Sequence, residues 1–122
     1  YINQLADGRL MHSNSWIMPD DWMTDAYMFA VSYPEGTEAT DAKDFFICHG
    51  SALRRDKETY FSSLSKLFVI QKEEGKKLNL WIDGQPKIHA MFRSEKKPTT
   101  VIVNGNNFPV VYKNAHVKVK YQ

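Results

Sequence analysis

From Lys77 to Ile82 the chain reads KLNLWI, with Leu78, Leu80 and Ile82 alternating against Lys77, Asn79 and Trp81. A repeat of two is the signature of a strand with one face turned to a core. The same alternation returns in AHVKVKYQ, where Val117, Val119 and Tyr121 oppose Lys118 and Lys120. Lysines spaced this way suit an edge strand, because they discourage pairing with another chain. Asn104-Gly105, inside TVIVNGNNFPVVY, is a two-residue hairpin signal, and Asp83-Gly84 is another, ahead of the apolar run KIHAMFRS. A chain patterned like this is committed to sheet.

The first half carries three more strand-like runs. ADGRLMHSNSWIM ends at Pro19, AYMFAVSY is bounded by Pro34, and FFICHG follows the polar loop PEGTEATDAKD. The last two are expected to form a long-looped hairpin. One segment breaks the rule. After Asp56, a capping residue type, Phe61, Leu64, Leu67 and Phe68 fall at helical spacing, and Gly75 suits a left-handed stop. This spacing predicts a helix over 57–73.

Three strands, a helix, then two or more strands is the order of a five-stranded Greek-key barrel of the oligonucleotide/oligosaccharide-binding (OB) type, with the helix between its third and fourth strands. The expected fold is therefore mainly β with one helix, an OB-like barrel. Its 122 residues fit one domain, 1–122, with about 99–122 as an added C-terminal hairpin or extension. The chain is 43% hydrophobic and 25% charged, an ordinary globular balance, and no apolar run approaches the ~20 residues of a transmembrane helix. It starts at Tyr1 without a methionine, so the expectation is a secreted protein whose signal peptide has been removed.

Catalytic chemistry is not indicated. His12, His49, His89 and His116 stand in separate segments without metal-ligand spacing, and no P-loop, G-x-S-x-G or C-x-x-C occurs. Neither a metal nor a cofactor is expected. Cys48 is the single cysteine, which excludes an internal disulfide and leaves a reduced, packed thiol as the expectation. Lysine and arginine clusters at Arg54-Arg55-Lys57, Lys76-Lys77, Lys96-Lys97 and Lys118/Lys120 are interleaved with aromatics. That combination allows an alternative, an OB-fold protein binding single-stranded nucleic acid. Against it, fourteen acidic residues offset sixteen basic ones. A small secreted inhibitor or immunity-type protein is a third possibility.

The layout YMFAVS, then FFICHG, then ETYFSSLSKLFVIQKEEGKKLNLWIDG resembles the pentameric B subunits of A–B bacterial toxins, in particular the subtilase-cytotoxin and pertussis-like groups. Cys48 sits at the cysteine of that family's second strand, Tyr60-Phe61-Ser62-Ser63-Leu64 at the start of its helix and Gly75 at the stop. Two features depart from the family: Phe29-Ala30-Val31 offers Cys48 no partner cysteine, and the tail from Thr99 is long. The resemblance implies a homo- or hetero-pentamer, a virulence factor that binds a cell-surface glycan such as sialic acid and delivers a catalytic A subunit. The glycan-binding residues it implies are Ser13, as the direct contact, with Asp7, His12 and Ser15, and on the fourth strand Trp81 and Asp83. In such a barrel the first and fourth strands are neighbours, so these residues are expected to meet.

Overall fold

A computed structural model of the 122-residue chain describes residues 2–4, 10–14, 22–33, 44–55, 57–83 and 87–121. Among these residues twelve strands join in one hydrogen-bonded sheet. They are β1 (Ile2–Gln4), β2 (Leu10–Asn14), β3 (Trp22–Thr24), β4 (Met28–Tyr33), β5 (Asp44–Arg55), β6 (Glu58–Glu74), β7 (Lys77–Asp83), β8 (Ile88–Arg93), β9 (Thr100–Val103), β10 (Asn106–Phe108), β11 (Tyr112–Lys113) and β12 (His116–Tyr121).

The long hairpin β5–β6 is the spine. On the free edge of β5, β4 pairs with the first half and β3 with the second. On the free edge of β6, β8 takes the first half, from Phe61↔Phe92, and β7 the second, from Phe68↔Asp83. The sheet thus divides into two wings that share both spine strands. Wing one continues through a parallel pairing of β7 with β9 and then to β10; wing two continues from β8 to β12 and β11.

The wings fold over each other. Phe61 pairs with Leu53, eight residues along β5 from Phe45, which would put the two rings roughly 27 Å apart on a flat ribbon. The rings of Phe45 and Phe61 are in fact 6.2 Å apart. Between them lies a core of Phe29, Val31, Ile47, Leu67, Val69, Leu78, Leu80, Val101 and Val103 from wing one and Leu53, Phe61, Ile88, Phe92, Val117 and Val119 from wing two. The sheet is curled like half a barrel.

The bend in β5 has a local cause. Its register with β6 shifts between Ile47 and Gly50, between Gly50 and Ala52, and between Leu53 and Arg54, the irregularities of a bulged strand. His49 takes φ 55° there. The segment after β3 straps this bulge: Asp25 accepts the N–H groups of Ser51 at 2.7 Å and Ala52 at 3.1 Å and the Ser51 hydroxyl, and Thr24 donates its hydroxyl to Ala52 O. Burial works to raise the Asp25 pKa, but these hydrogen bonds favour the carboxylate and together hold it below its ordinary value.

Mainly β architecture is as the alternation predicts; the helix is not. Residues predicted as helix over 57–73 form β6, the longest strand, paired on both edges. Leu67, Val69 and Gln71 face inward and Phe68, Ile70 and Lys72 outward. The apolar run LFVI fills both faces of one strand, and its β-branched and aromatic side chains favour a pleated surface over a helix once neighbours flank it. Gly75 does take the left-handed φ the sequence suggests, 61°, but in the β6–β7 turn rather than at a helix end. Asp56, the expected cap, lies outside the described residues. Leu64, expected in the core, is 83% exposed. Leu64→Ala should therefore change unfolding free energy by less than about 0.5 kcal/mol, where a helix with Leu64 buried would lose about 2–5 kcal/mol; urea denaturation checks this.

The tail beyond Thr99 packs into the core through Val101, Val103, Val117 and Val119. One further expectation changes. Asp83-Gly84 does not lead into a hairpin: β7 and β8 follow each other along β6 and do not pair together, and residues 84–86 lie outside the described residues. Asn104-Gly105 does turn a hairpin, β9–β10, with φ of 51° and 84°, as a type I′ turn requires.

Candidate functional site

The outer face of wing one is more apolar than a solvent-facing sheet needs. Register aligns Ala30, Phe46, Ile70 and Trp81 in one row across β4, β5, β6 and β7. Phe68 stands beside Phe46, ring centroids 5.2 Å apart and edge to face. At the end of the row the Trp81 indole is 48% exposed, as its place off the Leu78/Leu80/Ile82 face predicts. A Cβ at Gly105 would stand 3.7 Å from the indole Cη2, so the β9–β10 turn lies alongside the ring.

Asn104 fixes this corner. Its side chain accepts the Ile82 N–H at 2.8 Å and donates to Ile82 O at 3.0 Å, extending the β7–β9 pairing beyond its last backbone partner. Trp81 and Asp83, on either side of Ile82, are thereby held outward on rigid backbone. Tyr121 closes the corner from β12, its ring 6.0 Å from Phe108. Burial raises the Tyr121 pKa and the nearby Asp83 carboxylate raises it further, against a hydrogen bond with Asn104 that lowers it; the phenol keeps its proton. Beyond Tyr121 opens a cleft of about 320 Å³ lined by Leu64, Ser65, Lys87, His89 and Lys120. The corner thus offers an aromatic plate, a carboxylate and a phenol. Asn104 and Tyr121 were not legible as site residues in the sequence: one signals a turn, the other the end of an edge strand, and only the fold brings them to Asp83.

Of the residues expected from the first segment, the two that are described, His12 and Ser13, are not at this corner. Asp7 and Ser15 lie outside the described residues. His12 and Ser13 are on β2, opposite Val31 and Ala30. Ser13 shares the cross-strand row of Trp81, but β4, β5 and β6 intervene, a separation of roughly 19 Å at four strand spacings. Among the described residues the expected adjacency of first and fourth strands does not occur.

Among the described residues no three His, Cys, Asp or Glu side chains are grouped to hold a metal, and no helix is long and apolar enough to cross a membrane. Both ring nitrogens of His116 face carbonyl oxygens, Nδ1 at 2.7 Å from Asn114 O and Nε2 at 2.8 Å from Thr59 O. That ring ties β12 to β6 and has no nitrogen left for a ligand. Cys48 is a free thiol, half-buried opposite Met28 on the outer face, whereas Phe45 and Ile47 form the inner face. The thiol is thus free and partly packed, and it lies on the outer rather than the inner face.

No known protein-family model matches this chain, and no curated protein is similar to it.

Proposed function

We propose that this chain is a non-catalytic glycan-binding domain whose sugar lies against Trp81. The observation that carries the reading is a half-exposed indole on a strand paired at both edges, with Asp83 and Tyr121 beside it. A sugar ring presents C–H groups on its face and hydroxyls at its rim. An aromatic plate flanked by acceptors and donors meets both. Preset backbone means little ordering is needed on binding.

The wider form of this reading is a secreted toxin B subunit, a ring of five that recognises a sialoglycan and carries a catalytic A subunit. It was tied to a helix at 57–73, and β6 stands there instead. The glycan reading therefore rests on Trp81 and its neighbours. Ser13 is on β2, four strand spacings from Trp81, so the reading does not depend on it.

A glycan array with the wild type, Trp81→Ala, Asp83→Asn and Ser13→Ala tests this. Trp81→Ala should weaken binding at least about tenfold, and Asp83→Asn by roughly 0.5–1.5 kcal/mol, with melting temperatures nearly unchanged because both side chains are exposed. Binding to no glycan, together with salt-sensitive binding to single-stranded DNA, would replace this reading with the nucleic-acid one. Native mass spectrometry decides the wider form: five copies support it, and a strict monomer at tens of micromolar removes it.

A further inference from the structure

Two lysine pairs distant in sequence, Lys76-Lys77 and Lys96-Lys97, meet across one cleft of about 340 Å³. One wall is the β6–β7 turn; the other is the loop over 94–98 between β8 and β9. This loop is held by a hydrogen bond within itself and by others from the segment over 112–115. The Ser94 N–H donates to Ala115 O at 2.8 Å, the Ser94 hydroxyl to Lys96 O at 2.7 Å, and the Tyr112 hydroxyl to Ser94 O at 2.7 Å. The Thr99 N–H donates to Lys76 O at 2.9 Å and fastens the loop to the turn. Ser94 and Pro98 are buried. The lysine stems therefore rise from fixed positions on both walls.

Among the described residues none of the four ammonium groups is paired with a carboxylate. Glu73 and Glu95 also line the cleft, leaving cations in excess. Holding like charges around a concavity is unfavourable in the empty protein and favourable once an anion enters.

We propose that this cleft binds a tetrahedral oxyanion ester, sulfate or phosphate, carried on a saccharide. A lysine ammonium is a compact point charge without the planar fork that matches a carboxylate, so several around one hollow suit a tetrahedral oxyanion. A nucleic acid fits less well. The lining holds no aromatic ring for a base to stack on, and two glutamates would oppose successive phosphates. The exposed Glu95 carboxylate can accept the hydroxyls of a sparsely charged sugar. That the carrier is a saccharide rests on the glycan reading above; the oxyanion chemistry does not.

The test is titration calorimetry and NMR on the whole chain with five probes: inorganic sulfate, a sulfated oligosaccharide, its phosphorylated counterpart, the unsubstituted parent, and single-stranded DNA of matched charge. The sulfated or the phosphorylated sugar should bind at least tenfold tighter than the parent, and whichever does so identifies the ester. The double variant Lys77→Gln/Lys97→Gln should lose that increment. Lys57→Gln/Lys66→Gln, which removes the same charge elsewhere, should keep it. Inorganic sulfate that shifts Lys77 and Lys97 resonances while no sugar binds would uphold the oxyanion site and sink the saccharide carrier together with the Trp81 reading. Equal binding of charged and uncharged sugars with no response to sulfate, equal loss in the control double variant, or DNA binding as tight as the esters would overturn the proposal.

Discussion

Replacing Gly50 by alanine should destabilise the protein by about 2–3 kcal/mol, read from urea unfolding with an unchanged denaturant slope. A Cβ at this position would stand 2.6 Å from the Ala26 Cβ, 2.9 Å from the Ala26 Cα and 2.9 Å from the Ile47 Cγ2. One of these is backbone, so no rotamer change relieves the crowding. The strap from Thr24 to Tyr27 would have to lift from the bulge, and it is fastened there by the Asp25 hydrogen bonds and by the Tyr27 N–H to Cys48 O at 2.9 Å. A second substitution separates the components. Ala26→Gly in the Gly50→Ala background removes the collision between the two methyl groups but leaves the clash with the backbone of residue 26, so it should restore part of the loss and not all of it. Full stability in Gly50→Ala alone would mean that the strap does not sit on the bend.

Phe61→Ala should be more costly, about 3–5 kcal/mol. Phe61 is fully buried, and its ring touches both wings, 6.2 Å from Phe45 and 5.3 Å from Phe92 by centroid. Removing it opens a void where the sheet closes on itself, and the spine strands on either side cannot collapse into it without losing register. Set against the roughly 5–15 kcal/mol that holds a domain of this kind together, such a loss leaves the variant close to unfolding at body temperature. Phe61→Leu keeps most of the volume and should lose clearly less. The comparison is made by thermal melts at one protein concentration; equal losses in the two variants would show that the ring does not fill the junction.

The strands that alternate on one side only were legible. Leu78, Leu80 and Ile82 read correctly because their outward neighbours include Lys77, Asn79 and Asp83, and Val117 and Val119 read correctly because lysines separate them. β6 failed for the opposite reason. Its outward positions include Leu64, Phe68 and Ile70, so the apolar residues lose their period of two and acquire a spurious helical one. The partners of β7 were hidden as well: its parallel pairing with β9 crosses over β8, a connection whose sequence carries no signal of direction. At the candidate corner Trp81 was visible, because it breaks an inward pattern. The company it keeps was not, because Asn104 and Tyr121 reach Asp83 through long-range pairing.

A strand shared by two wings also sets how the molecule opens. Because β5 and β6 run through both, neither wing can separate as a unit of its own without tearing the ladder that the other depends on. Amide protons of β6 near Phe61 and near Val69 should exchange together, at the rate of whole-molecule unfolding, while β10 and β11 fray at the far rim. A protein built this way has no half that survives alone. Among the described residues, proteases that wait for partial opening would find the rims, and a cut anywhere in the spine would be lethal to both faces at once.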